Sequence, residues 1–389
     1  MIVRRPAHLR FEYRQAPEYA LENLVSGGGE ASAEGRWLTS AAHVDDETVL
    51  ELEDLALFQS VPEQGIAAGK LESAFGAERL QRLLSRGVLL SDSVEHAQHA
   101  GNDAAVRAAN WWGPSAIVQR LSRWDGVDVE QAEAEQGKRR MGAMIEQNGL
   151  PPAEALSLQS ASSRQPLPQP ARTAFDALLA ARVTCRNFDS AASVRAQELA
   201  QVLHRVFGAQ ASHDMAPGAV MLKKHSPSGG GLHPIEAFLL VQRVENVAPG
   251  LYHYQCVQHE LEMLRELSEE QAAAAASELV AGQSWFANAP VLVLMAARFP
   301  RTFWKYRNHA KAWKVIQLDA GHLSQTLYLS ATELGYGAFI TGAINDCCAE
   351  RLFGLDAMSN GVIAISGFGK RDARSGSNFE FDPLGKMVR

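Results

Sequence analysis

Lys223-Lys224-His225-Ser226-Pro227-Ser228-Gly229-Gly230-Gly231-Leu232-His233-Pro234 is the run on which the reading of this chain turns. Three successive glycines leave no Cβ to hold a ligand off the backbone, and they take positive φ without penalty. The run leads into Ile235-Glu236-Ala237-Phe238-Leu239-Leu240-Val241, an apolar stretch of the length expected for a buried strand. A loop so placed opens at the edge of a sheet, where α/β proteins bind cofactors. The expected ligand is planar or phosphorylated. A glycine tripeptide alone also fits a surface turn. The flanking prolines, the serines and the two lysines favour a site, with Ser226, Pro227, Ser228, Gly229 and Gly230 as the candidate contacts.

Together with Gly250-Leu251-Tyr252-His253-Tyr254 beyond the strand, Ser226–Pro234 resembles the Pro-Ser-Gly-Gly-x-Leu-Tyr-Pro pattern of SagB-type (McbC-like) dehydrogenases. These are FMN enzymes of the nitroreductase superfamily that oxidise azoline rings to azoles in ribosomally made peptides. His233 stands where that family usually has Tyr. The resemblance covers roughly residues 150–389. It implies an α+β fold with a central mixed sheet flanked by helices, FMN as cofactor, and a homodimer with the flavin at the subunit interface.

A second element lies upstream, in Arg182-Val183-Thr184-Cys185-Arg186-Asn187-Phe188. Two arginines four apart with a hydroxyl between them can point three donors at one place, which suits a phosphate dianion. An arginine pair is also a common solvated face. The run is similar to the Arg-x-Ser-x-Arg/Lys-x-Phe element with which nitroreductase-like proteins hold the FMN phosphate, and that likeness implies Arg182, Thr184 and Arg186 as phosphate ligands.

Downstream, Val291–Ala297 reads as another buried strand and is followed by Arg301-Thr302-Phe303-Trp304-Lys305-Tyr306-Arg307. Lys305 and Tyr306 sit at the Lys-Tyr pair of the resembled family, where these side chains are implicated in proton removal. Oxidising a C–N bond with a flavin sends a hydride to N5 and a proton to a base. A lysine beside Arg301, Arg307 and Lys311, or in an apolar cleft, would be depressed in pKa and suited to that role. The same residues also fit a basic helix start on the surface. A helix over Val315–Gly335 follows, with Leu318, His322, Leu323, Leu327, Ala331 and Leu334 on its apolar stripe. His322 on that stripe is read as a core residue outside the site.

Gly335-Tyr336-Gly337-Ala338-Phe339-Ile340-Thr341-Gly342 resembles the superfamily element whose backbone N–H meets flavin N5, implying Thr341 and Gly342 as contacts. Val362–Gly367 reads as the last strand. Lys370 and Arg371 just past it are secondary phosphate candidates.

The rest of the chain sets bounds. Its 389 residues suggest two domains, and 46% hydrophobic content is ample for a sizeable core. Residues 1 to about 100 read as a small winged-helix-like domain, with apolar positions at helical spacing over Leu71–Leu84 and Arg86–Leu90 turning from helix into strand. In the resembled family such a module binds the leader of a precursor peptide as an added strand. A purely structural cap is the alternative. Residues 101–170 hold Trp111, Trp112 and Trp124, read as interface or ordinary core, a polar helix over Glu130–Gln147, and a Ser/Gln/Pro-rich linker over Gln159–Ala171. The flavin domain is placed at 171–389.

Residues 1–165 carry 16 Lys+Arg against 24 Asp+Glu, which disfavours nucleic acid as a partner. No apolar run reaches the length of a membrane span and the first residues lack a signal-peptide core, so a cytoplasmic location is expected. The four cysteines form no C-x-x-C pair, and no His, Asp or Cys set has metal-ligand spacing. Walker, Rossmann and Gly-x-Ser-x-Gly patterns are absent, leaving NTPase and hydrolase readings without support.

The expected activity is FMN-dependent dehydrogenation of a modified peptide, azoline to azole as the leading case, with dioxygen reoxidising the flavin and a cyclodehydratase or other maturation enzyme as a possible partner. Two alternatives stand beside it: an NAD(P)H-dependent flavin reductase of dehydroamino acids or small electrophiles, and a non-catalytic peptide-binding scaffold.

Overall fold

The computed structural model describes residues 1–15, 35–135, 145–156 apart from Gln147, and 163–372. The chain divides into two compact units, neither of them continuous in sequence. The first takes in Met1–Arg123, Arg298–Ile316 and Asp356–Gly361; the second takes in Trp124–Ala297, Gln317–Leu355 and Val362–Arg389.

In the first unit, β1 (Ile2–Arg4) lies between β5 (Ile66–Ala67) and β6 (Leu90–Ser91), while β2 (Leu9–Gln15), β3 (Gly35–Ala41) and β4 (Thr48–Leu50) form a second antiparallel sheet. The mixed periodicity of Ala41–Phe58 is explained by this arrangement: a strand end and β4 precede the Leu52–Ser60 helix. Helices Ala68–Phe75 and Ala77–Ser85 are separated at Gly76, whose φ of 90° suits glycine. Leu57, Leu71, Leu80, Leu83, Leu84 and Leu89 fill the core beneath them. A second cluster gathers round Trp111, which is fully buried. Its ring centroid lies 4.6 Å from both Phe299 and Phe303 and 5.9 Å from Trp313, and its Nε1 donates to Met358 O at 2.9 Å. Trp111 is thus core, as one of the two readings held, whereas Trp112 and Trp124 are partly exposed.

The second unit is built on six strands in the order β11-β10-β9-β12-β14-β13, comprising β9 (Ile235–Val241), β10 (Gly250–Gln255), β11 (Glu260–Glu266), β12 (Val291–Ala297), β13 (Gly337–Thr341) and β14 (Val362–Gly369). Every pairing of these strands is antiparallel. The expected mixture of directions is confined, among the described residues, to two isolated parallel bridges, Thr184 with Ala338 at the β13 edge and Val194 with Val244 just past β9. All seven residues of β12 are buried, which is why it reads as an unbroken apolar run. β9 pairs with it from Ile235↔Ala297 to Val241↔Val291, so β9 is central and the glycine loop opens at a strand end rather than along a side edge.

A helix over Ala310–Glu333 begins five residues earlier than the sequence pattern suggests. Its buried face is Ile316, Ala320, Leu323, Leu327 and Ala331, spaced three and four apart. Leu318 and His322 are exposed, which corrects their placement on the apolar stripe: each lies about 100° round from a buried neighbour, Asp319 and Leu323 respectively. Between the Ala196–Val206 helix and the glycine loop, where a plain loop was expected, β7 (Ala211–Ala216) and β8 (Ala219–Lys223) form a hairpin about Pro217-Gly218. The polar helix expected over Glu130–Gln147 is described at Val129–Glu135. Part of the expected linker, 159–162, lies outside the described residues; 163–171 has no regular structure.

Candidate cofactor site

Two clusters of the expected site residues form within the second unit. The first surrounds β13. The segment from Arg182 to Asp189 runs along this strand: Cys185 N donates to Ala338 O at 2.8 Å beside the Thr184–Ala338 bridge. The same segment meets the end of β14, where Asp189 N donates to Lys370 O at 2.9 Å, Phe188 bridges Arg371, and Arg371 Nε donates to Asn187 Oδ1 at 3.2 Å. Arg182, Thr184, Arg186, Lys370 and Arg371 thus lie on backbone stretches that meet near the Gly337 end of β13, whereas Thr341 and Gly342 lie at its other end, Thr341 pairing with Ile365 where Gly337 pairs with Gly369.

Aromatic rings steady the two arginines. The Arg182 guanidinium lies 5.2 Å from the centre of the Tyr328 ring, and that of Arg186 lies 5.7 Å from Phe286. Phe286 in turn stacks on Phe339 of β13, with centroids 4.0 Å apart. At the end of β13, Thr341 Oγ1 accepts from Ala343 N at 3.2 Å and sits 3.4 Å from Gln283 Oε1. Its hydroxyl thus shapes the turn. Gly342 beside it is exposed, and a Cβ there would meet open space, so a ring could lie directly against the backbone.

The second cluster is the glycine loop. Gly230 and Gly231 take φ of 70° and 69°. Asp319, 3% exposed on the long helix, holds the loop: its Oδ1 accepts from Gly229 N at 3.0 Å and its Oδ2 from Ser228 Oγ at 2.5 Å. Ser228 Oγ also accepts from His233 N at 2.9 Å. Ser226 Oγ lies 2.8 Å from Thr326 Oγ1, whose own proton goes to His322 O at 2.9 Å, so Ser226 is the donor of that pair. Both serine protons are thereby spent on the helix. These two residues shape the loop.

Burial raises the Asp319 carboxyl above its ordinary range, against the hydrogen bonds from Ser228 and Gly229 and the nearby His322. Asp319 is the only charged residue between Val315 and Ala331, and this was the available signal for a role that motif reading missed. Asp319 and Thr326 are seven apart and share a helix face, whereas Tyr328 is nine from Asp319, roughly half a turn round. The glycine loop and the β13 cluster accordingly attach to opposite faces of the helix.

Lys305 and Tyr306 belong to the first unit, at the end of the Phe299–Lys305 helix. Lys305 is exposed, with its Nζ 5.6 Å from the Tyr306 ring centre, which corrects the expectation of an apolar cleft. Among the described residues no group of three His, Cys, Asp or Glu could hold a metal ion, and no helix is long and apolar enough to cross a membrane. Cys185 and Cys348 are buried, Cys256 and Cys347 half-buried, and all four are free thiols.

Residues 179–370 match the model of the Nitroreductase family. The chain is 31% identical over 125 residues to the nitroreductase-like protein MJ1384 of Methanocaldococcus jannaschii, a match that covers 32% of this chain and 60% of that one. It is 29% identical over 136 residues to the trifolitoxin-processing protein TfxB of Rhizobium leguminosarum bv. trifolii, covering 35% of this chain and 36% of the relative. Both matches thus span less than two thirds of the relatives' length. Among solved structures, a chain of the Escherichia coli microcin synthetase McbBCD complex with truncated pro-MccB17 bound shares the fold, with a TM-score of 0.51 at 20% identity over 69% of this chain and 97% of that one.

Proposed function

We propose that the protein is an FMN-dependent oxidoreductase acting on a modified ribosomal peptide, oxidation of an azoline to an azole being the leading case; the match of residues 179–370 to the Nitroreductase family model supports the flavin part of this reading. The observation that carries the cofactor reading is the gathering of Arg182, Thr184, Arg186, Lys370 and Arg371 at the β13 edge. That donor set fits a phosphate dianion, for which guanidinium groups supply paired N–H donors. The open backbone at Gly342 and the positive-φ glycines fit a planar ring.

Bound FMN would supply the two-electron acceptor. The chain's own part is to neutralise the phosphate with Arg182 and Arg186, to offer the Gly342 N–H to the ring, and to keep the glycine loop in shape through Asp319. Lys305 or Tyr306 is our candidate for the group that accepts the substrate proton.

The peptide substrate is supported by the similarity to a trifolitoxin-processing protein and the fold shared with a microcin synthetase chain. We extend that reading to a winged-helix-like module in residues 1–100 that takes the leader of a precursor peptide, and to a partner maturation enzyme. A homodimer is supported by the Ala174–Ala181 helix, which buries none of its residues although Phe175 and Leu179 are 59% and 40% exposed. Attachment of the glycine loop and the β13 cluster to opposite helix faces also suits a site shared between copies.

The absorbance spectrum of the purified protein, with the chromophore released by heat and weighed, tests the cofactor. FMN in the released fraction supports the reading. A colourless protein that takes up no FMN on reconstitution overturns it.

A further inference from the structure

Three stretches of chain meet at one phenol. Tyr328, 6% exposed on the long helix, has its hydroxyl 3.0 Å from Thr184 Oγ1 and 3.2 Å from Ile340 N. A backbone N–H can only donate, so the phenol oxygen accepts from Ile340. Its own proton then has one neighbour to go to, Thr184 Oγ1. The opposite polarity, with Thr184 donating, would leave a buried phenol O–H without an acceptor, which is the costlier arrangement. Thr184 therefore accepts from Tyr328, and its own O–H is left to point elsewhere. Thr184 is only half-buried, so that proton can reach a ligand.

Meanwhile the face of the Tyr328 ring holds the Arg182 guanidinium at 5.2 Å. One side chain thus acts on two neighbouring cationic or polar groups, with its rim and with its face.

We propose that Tyr328 is a positioning residue for a phosphomonoester. The relay from Ile340 N–H through the Tyr328 hydroxyl to Thr184 turns the threonine into a donor, and the ring aims Arg182 at the same anion. This rests on the cofactor reading above and deepens it: the selectivity for FMN over the unphosphorylated flavin is assigned to a residue outside the Arg182–Arg186 motif.

The test compares FMN with riboflavin, by flavin fluorescence titration of apoprotein, in wild type and in Tyr328→Phe, which keeps the ring and removes the relay. Wild type should prefer FMN, and Tyr328→Phe should reduce that preference about tenfold while riboflavin affinity holds within about twofold. In a Thr184→Val background the Tyr328→Phe change should have no further effect, because the relay acts only through Thr184. Equal loss of both flavins in Tyr328→Phe, an unchanged preference, or additive effects in the double variant would each overturn the relay while leaving the cofactor reading standing. Binding of neither flavin by wild type would overturn both.

Discussion

The Asp319 carboxylate lies 2.5 Å from Ser228 Oγ, joining the centre of the long helix to the glycine loop, ninety-one residues apart in sequence. With the second bond from Gly229 N, it turns a run of glycines into a defined surface. Glycine-rich backbone loses more entropy on ordering than any other, so an anchor of this kind is needed to hold it.

Replacing Asp319 by Ala should leave Ser228 and Gly229 without their acceptor and lower stability by about 1–3 kcal/mol. Hydrogen exchange at the Gly229 amide should speed up in the variant more than exchange in β12. Unchanged protection at Gly229 would refute the anchoring role.

Arg186→Ala should weaken FMN retention by roughly tenfold or more through loss of charge-assisted bonds. Flavin content after gel filtration is the measurement, and full occupancy would count against the phosphate assignment.

Lys305→Ala should abolish turnover of the peptide while leaving the flavin bound. Activity within about threefold of wild type, under ~1 kcal/mol in barrier, would remove Lys305 as the proton acceptor. Its exposure makes this the most exacting of these tests.

His43 in the first unit is 4% exposed, and its Nε2 lies 2.9 Å from Gly87 O. Burial pushes its pKa down to about 4, against the pull of Asp103. A histidine depressed in the folded state stabilises it above the unfolded pKa near 6.5, and this contribution is lost as pH falls from there through about 4. The loss is at most roughly 3 kcal/mol. Thermal melts between those limits should fall more steeply for wild type than for His43→Gln, and parallel curves would refute the assignment.

Trp111→Ala should cost about 3–5 kcal/mol, because the ring fills the space between Phe299, Phe303 and Trp313. Denaturant unfolding measures it.

What could be read from sequence follows from how local the determinants were. Ile235–Val241 and Val291–Ala297 coincide with β9 and β12, since the second is a continuous apolar run between Pro290 and Arg298 and the first, opening after Pro234, is broken only by Glu236. The arginine and glycine motifs were legible because their spacing is itself the signal; the Arg182–Asp189 segment meets β13 at Ala338 and the end of β14 at Lys370 and Arg371, while Thr341 and Gly342 stand at the far end of β13. Asp319 and Tyr328 escaped notice because their partners lie 90 and 144 residues away, beyond any periodicity. The β7–β8 hairpin was missed for another reason. Its strands are almost wholly exposed, so neither face leaves an alternation to detect, and only Pro217-Gly218 marked the turn.

The first unit borrows Arg298–Ile316 and Asp356–Gly361 for its own interior. During synthesis Trp111 therefore emerges long before Phe299, Phe303 and Trp313, and its indole N–H waits until Met358 appears to find an acceptor. The amino-terminal part cannot finish folding on the ribosome ahead of the rest, as a bead on a string would. Cutting the gene after residue 123 removes the partners of that indole, so a graft of the leader-binding candidate onto another protein must carry the two later stretches with it.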